Sequence, residues 1–323
     1  MAIPDFAGEG VLVTGGAGFI GSHLVDALVE RSARVRVLDD LSSGSVGNLA
    51  RYLDAEGAAV ELQRGDIRDV EACRRACEGL SWVFHLAALG SVPRSIDDPA
   101  SSIAVNVTGT ANVFAAAREA GARRVVYASS SSVYGDDPRL PKREGEEGVP
   151  LSPYAASKAM GEQLAATFAR SYGQELVGLR FFNVFGPRQS PHGPYAAVVP
   201  RFLAAAQRGE PMEIHGDGGQ SRDFTYVTDA VEAALLAAGA PTSACGRAYN
   251  AAGGERVTMN ELAARLAELS GSREPPVHAA PRAGDVRHSL ADLTAAREQL
   301  GYAPHVSVAE GLERLWREVA SSP

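Results

Sequence analysis

Cysteine is scarce in this chain, with 3 in 323 residues. That is too few for a disulfide framework and fits a reducing compartment. Cys73 and Cys77 share one helix face, but no second Cys or His pair completes a metal site, so they read as packing thiols and no metal is expected. Long apolar runs are also missing: none approaches the ~20 residues needed to cross a bilayer. The first ten residues lack a basic stretch followed by an apolar one, so neither a secretory leader nor a membrane anchor is expected and the protein reads as cytoplasmic. Positive charge is in deficit, 31 Lys and Arg against 39 Asp and Glu for a net charge of −8. This excludes a general attraction to nucleic acid or anionic membranes, although an anionic ligand would still need a local basic pocket. Repeats, low-complexity tracts and long linkers are absent too. With 45% hydrophobic and 22% charged residues, the composition is that of a globular protein large enough to bury a full core.

The first ordered signal is Val11-Leu12-Val13-Thr14-Gly15-Gly16-Ala17-Gly18-Phe19-Ile20-Gly21. A branched apolar run turns on glycines and continues with apolar residues at helical spacing. Gly16-x-Gly18-x-x-Gly21 in that setting predicts a strand, a tight turn and a helix whose N-terminus receives a pyrophosphate. The second strand, Ala33 to Leu38, ends in Asp39, 21 positions after Gly18. There a carboxylate can accept both ribose hydroxyls of an adenosine and repel a 2′-phosphate, which favours NAD over NADP. Asp40, Leu41, Ser42 and Ser43 offer no cation to reverse that preference.

Strand and helix patterns then alternate. Val60–Arg64 reads as a third strand, with Asp66 and Ile67 just beyond its end, where an adenine can be bound. Trp82–Ala88 is a fourth strand, bringing Ala87 to the same edge. Val70–Glu78, Ala100–Ala120 and Pro153–Ser171 read as helices, Arg124–Ala128 and Glu175–Arg180 as a fifth and a sixth strand. This alternation predicts an α/β fold, a doubly wound parallel (Rossmann) sheet, with ligands at the strand C-termini. Residues 1–180 would form the dinucleotide-binding domain, rejoined by parts of 224–252. Residues 181–323 would form a smaller C-terminal substrate-binding α/β lobe, with Phe181 to Tyr195 as loop and helices over Ala197–Arg208, Val227–Ala238, Thr258–Leu269, Ala291–Leu300 and Val306–Val319. Met212–His215 reads as a short strand.

Tyr154 and Lys158 lie four apart at the start of a predicted helix, on one face and about 6 Å apart along the axis at ~1.5 Å per residue. A free phenol has a pKa of ~10. A nearby ammonium and the positive nicotinamide ring of NAD would stabilise its phenolate and make it a usable base. Ser129 to Ser132 close the fifth strand, so a hydroxyl there can bridge the phenol and a substrate hydroxyl. A serine turn or a helix-surface pair would explain either feature alone; both in register with the glycine turn favour catalysis.

Taken together, these stretches resemble the extended short-chain dehydrogenase/reductases, in particular nucleotide-sugar 4-epimerases. The likeness runs through Thr14–Gly21, Ser129–Gly135, Ser152–Lys158, Arg180–Pro187 and Gly216–Phe224. It implies NAD, tightly bound and regenerated each cycle, held by Gly15, Gly18, Phe19, Ile20, Gly21, Asp39, Asp66, Ile67, Ala87, Tyr154 and Lys158. It also implies a catalytic set of Ser130, Tyr154 and Lys158, with Tyr154 as the base. For a UDP-sugar substrate it implies Asn183, Arg222 and Arg282 at the diphosphate, and Gly90, Ser91, Ser130, Ser131, Ala197, Val198 and Ser289 along the rest of the ligand. Related dehydratases and decarboxylases carry an acid one or two positions after the catalytic hydroxyl; here Ser131 and Ser132 stand there, which favours plain epimerisation. Ala88–Ser95, Pro191–Val198 and Gly284–Ser289 resemble the branch acting on UDP-N-acetylhexosamines, where a small residue at the Ser289 position leaves room for an acetamido group. UDP-glucuronate and UDP-glucose 4-epimerases are the near alternatives, and a non-catalytic NAD-binding regulatory protein is the distant one. By the same resemblance, Ala100–Ala120 and Pro153–Ser171 would pair into a four-helix bundle in a homodimer.

Overall fold

The computed structural model describes residues 2–53, 59–193, 195–280 and 286–321. In chain order its strands begin with β1 (Gly10–Thr14), β2 (Arg34–Asp39), β3 (Val60–Arg64), β4 (Trp82–His85), β5 (Arg124–Ser130) and β6 (Leu176–Phe181). There follow β7 (Val184–Phe185), β8 (Glu213–His215), β9 (Ser221–Asp223), β10 (Thr225–Tyr226), β11 (Arg247–Ala251), β12 (Arg256–Thr258) and β13 (Val277–Ala279). Seven of these form one parallel sheet in the order β11-β6-β5-β4-β1-β2-β3. The order reverses between β1 and β4, and in an open sheet that switch point is where a ligand finds a crevice beyond the strand ends.

The sheet is buried on both faces, which explains its nearly continuous apolar strands. Along β1 the side chains alternate: Val11 and Val13 enter a core shared with Val35, Val37 and the Val227–Ala238 helix. Leu12 points the other way, to a core with Leu38, Val125, Tyr127 and Phe114. A third core, with Phe185, Phe202, Ile214, Phe224, Leu262 and Leu312, lies under the short strands of the second half. There β7 pairs with β10, β9 with β12, and β8 with β13.

The doubly wound α/β expectation is met, with local differences. The helix expected over Ala100–Ala120 is Pro99–Ile103, a π-helical stretch Ala104–Gly109, and Thr110–Glu119. The wider turn carries Asn106 inward, where its Nδ2 donates to the Leu89 carbonyl (3.1 Å) and its Oδ1 accepts from the Leu89 N–H (2.8 Å). A π-turn placed to aim one side chain is a common use of that geometry. The helix expected from Ala291 starts at Thr294, because Ala291 forms a β-bridge to Lys142 and the Asp292 carboxylate accepts from the Thr294 N–H. The Val92–Asp97 helix, capped by the Ser91 hydroxyl, was not expected. Among the described residues no helix is long and apolar enough to cross a membrane.

Candidate functional site

The turn after β1 is built from backbone contacts that leave no room for side chains. Gly15 has φ +72°, and a Cβ there would lie 2.7 Å from the Ala87 nitrogen. A Cβ on Gly21 would lie 2.1 Å from the Gly15 carbonyl oxygen. Both clashes are backbone against backbone, so neither side can yield. The Phe19–Val29 helix opens at this turn, and no side chain caps its N-terminus. Its first N–H groups have no intrahelical acceptor, and the positive end of the helix suits an anion.

These residues open onto a cleft of ≈ 330 Å³ lined by Gly15, Gly18, Phe19, Ile20, Gly21, Asp39, Asp66, Ile67, Ala87 and Gly90, among others. Asp39 is buried; it accepts from the Ala17 N–H (3.0 Å) and the Leu41 N–H (2.8 Å), one on each oxygen. Burial pushes its carboxyl above the ordinary value and those two donors pull it back. A carboxylate has about four acceptor positions, so capacity for two ribose hydroxyls remains. Asp66 is held by the Arg68 N–H and guanidinium, which keep its carboxyl low. Among the described residues, no Lys or Arg lines the cleft. A glycine cradle, a helix N-terminus without a side-chain cap and a buried carboxylate lining the same cleft fit an NAD-type dinucleotide. Replacing Asp39 by Asn is expected to weaken NAD binding about tenfold, the loss of charge-assisted hydrogen bonds, and to narrow the preference over NADP. Calorimetry with both dinucleotides checks this, and an unchanged NAD/NADP ratio would place the carboxylate away from the ribose.

Ser130 ends β5, while Tyr154 and Lys158 stand one turn apart in the Pro153–Tyr172 helix, whose N-terminus Ser152 caps. The Lys158 Nζ lies 5.9 Å from the Tyr154 ring centre and donates to the Ala128 carbonyl (2.8 Å). Burial dominates both groups. It pushes the half-buried phenol of Tyr154 up, countered by a hydrogen bond with Ser130, and pulls the Lys158 ammonium down to about 8. The ammonium alone therefore does not lower the phenol, and the positive nicotinamide ring expected from the sequence would have to supply that pull. One turn further on, Glu162 accepts from the Ser129 hydroxyl (2.5 Å) and from two nitrogens of Arg180 (2.9 and 2.7 Å), fixing helix to strand. His85 is no alternative base: buried between Thr14 and Thr110, its imidazole is pulled down to about 3 and stays neutral.

Two further cavities adjoin. One, ≈ 300 Å³, is lined by Val92, Ser130, Ser131, Ser132, Lys142, Asn183, Arg222, Val286 and Ser289, among others. The other, ≈ 230 Å³, is lined by Asn183, Gln189, Ala197, Val198, Arg201, Phe202, Gln220, Arg222 and others. Asn183 and Arg222 line both and so stand at their junction. Asn183 has φ +32° and donates from Nδ2 to the Asp223 carbonyl (2.8 Å). Arg222 donates to the Ser221 and Arg287 carbonyls (3.0 and 3.2 Å). The Ser289 hydroxyl accepts from the Asp223 N–H at 3.3 Å. Ser91 uses its hydroxyl to cap the Val92–Asp97 helix and is not among the residues lining the ≈ 300 Å³ cavity. Arg282 lies outside the described residues. Cys73 and Cys77 are buried, with thiols pushed up to about 12, as packing residues would be.

Glu162 and Asn106 went unread in the sequence, although Tyr154, Lys158 and Glu162 form one i, i+4, i+8 stripe. Asn106 gave no such signal, since its direction depends on the π-turn. Asn106 also donates to the Ser157 hydroxyl (3.0 Å), which in turn donates to the Tyr154 carbonyl, tying the loop at Leu89 to the helix that carries Tyr154.

Residues 11–252 match the NAD dependent epimerase/dehydratase family. The chain is 42% identical over 305 residues to a UDP-glucose 4-epimerase of Mycolicibacterium smegmatis, spanning 94% of this chain and 96% of that one. Its fold is similar to that of a UDP-glucose 4-epimerase from Thermotoga maritima solved with UDP-glucose (TM-score 0.90, 38% identity, covering 96% and 98% of the two chains). It is equally similar to a UDP-N-acetylglucosamine 4-epimerase from Methanobrevibacter ruminantium in complex with UDP-N-acetylmuramic acid (TM-score 0.91, 37% identity, 98% and 99%).

Proposed function

The chain belongs to the NAD-dependent epimerase/dehydratase family, and within it we propose that it inverts C4 of a UDP-hexose, with UDP-GlcNAc and UDP-GalNAc as the best-matched pair. The observation that carries this reading is where Ser130 stands, with Tyr154 hydrogen-bonded to it and Lys158 one helical turn beyond. Ser130 lines the ≈ 300 Å³ cavity, Lys158 is bonded to Ala128 on the wall of the cofactor cleft, and no acid stands at positions 131 or 132.

NAD, when bound, supplies an acceptor that takes the C4 hydrogen with its electron pair and gives it back. Tyr154 takes the proton of the C4 hydroxyl, and Ser130 bridges the phenol and that hydroxyl. Lys158 holds its charge beside the phenol and the nicotinamide ribose. The resulting 4-keto sugar turns over before hydrogen returns to its opposite face, and Tyr154 then gives the proton back. Rotation requires a sugar chamber with few grips on the ring, and serines, Gly135, Val92 and Val286 make much of the lining, with Lys142, Asn183 and Arg222 as its strongly polar members. Binding free energy then belongs at the nucleotide end, through Asn183, Arg222 and Arg282 at the diphosphate and Ala197 and Val198 beyond. In this reading residues 1–180, rejoined by parts of 224–252, hold the cofactor and residues 181–323 hold the UDP-sugar. The helices over 99–119 and 153–172 pair in a homodimer, with the exposed Met160 on the second of them.

Substrate choice rests on Ser289. Its small side chain leaves space where a tyrosine would fill the chamber, so Ser289→Tyr is expected to lower the kcat/KM ratio of UDP-GlcNAc to UDP-glucose at least roughly thirtyfold by steric exclusion. A ratio unmoved by the substitution would take Ser289 away from the 2-substituent. UDP-glucose is the second reading, favoured by the 42% identity to the M. smegmatis enzyme.

A further inference from the structure

We propose that Lys142 is a specificity-determining residue that donates a hydrogen bond to the carbonyl oxygen of an N-acetyl group on the sugar's C2. The inference rests on the UDP-N-acetylhexosamine reading and adds a residue to it. Lys142 lines the sugar chamber, yet it is only 3% exposed. A buried ammonium has three protons to place. One goes to the Asp137 backbone carbonyl, and a second faces the Asp137 Oδ2 at 3.5 Å. That carboxylate is engaged more closely by Arg139, at 2.7 Å. Lys142 is itself among the residues that line the chamber, so the third proton is the one left for a ligand there.

The backbone fixes which wall of the chamber Lys142 occupies. Its N–H donates to the Leu290 carbonyl (2.7 Å), and its carbonyl accepts from the Asp292 N–H (2.9 Å) and from the Asn250 amide (2.9 Å). Lys142 is therefore pinned against the segment that carries Ser289. The two share one wall: Ser289 provides the space for a 2-substituent and Lys142 a donor beside it. An amide carbonyl is a stronger, further-reaching acceptor than the C2 hydroxyl of a plain hexose, so the ammonium gives the acetamido sugar an advantage.

The test uses the full chain as purified with its NAD and compares wild type with Lys142→Met on UDP-GlcNAc, UDP-glucose and UDP-glucuronate. Both UDP-GlcNAc and UDP-glucose turnover are expected to fall, with the kcat/KM ratio of the first to the second dropping roughly tenfold or more, the size of a hydrogen bond to a charged donor. If the methionine variant does not fold, Lys142→Gln is used instead: it loses the charge but keeps a neutral donor, so the ratio is expected to fall by a smaller, severalfold amount. An unchanged ratio overturns the inference and leaves the substrate reading intact. A loss greatest on UDP-glucuronate overturns it in favour of a carboxylate contact. A wild type that converts UDP-glucose but not UDP-GlcNAc overturns the substrate reading, and this inference with it.

Discussion

Replacing Tyr154 by phenylalanine is expected to lower kcat roughly a thousandfold while NAD remains bound and KM moves by only a few-fold. The phenol makes one modest interaction with the bound substrate, and such a hydrogen bond is worth about 1 kcal/mol. As the base it acts on the bond that breaks, and a positioned base contributes roughly 10²–10⁴ in rate. Among the described residues, the neighbouring groups are poorly placed to take over. Ser130 is an unactivated hydroxyl, and His85 is held neutral away from the chamber by Thr14 and Thr110. Lys158 is already bonded to the Ala128 carbonyl. Single-turnover kinetics and the NAD content of the purified variant separate the two effects. A variant that keeps kcat within about tenfold of wild type contradicts the assignment of the base.

Lys158→Met is expected to cost roughly 100- to 1000-fold in kcat and to alter the pH profile. Burial brings the ammonium down to about 8, so the wild type loses the charge as the pH rises past that value and its activity falls with it. The variant has no such charge to lose, and its remaining activity lacks that high-pH limb. Stability moves the other way. A lysine whose folded pKa is depressed below the unfolded value of ~10.4 contributes most above that value, and the contribution falls as the pH drops to about 8. At neutral pH the buried ammonium therefore weighs against the fold, and the methionine variant is expected to melt no lower than wild type despite losing the bond to Ala128. A variant that is both inactive and markedly less stable would mark Lys158 as structural support.

Much of this was legible in the sequence for identifiable reasons. The glycine turn and Asp39 could be read because both depend on local backbone geometry and on a spacing fixed by one strand and one helix. The Tyr154–Lys158 pair could be read because four residues make one turn of a helix. Other features depend on chain segments meeting far from one another in sequence. Two- and three-residue strands such as β7, β9 and β13 are too short for periodicity to show. The place of Lys142 is set by a β-bridge to Ala291, and the direction of Asn106 by a π-turn. The electrostatics of Tyr154 were read only in part. The sequence pairs the phenol with an ammonium, whereas burial raises the phenol and the ammonium donates to a backbone carbonyl.

The most direct measurement is to incubate the purified protein, with no cofactor added, with UDP-GlcNAc, UDP-glucose and UDP-glucuronate in separate tubes and to follow each by NMR. The expected result is accumulation of the C4 epimer from UDP-GlcNAc. If none of the three sugars yields its C4 epimer, even after NAD is supplied, the proposed reaction is contradicted.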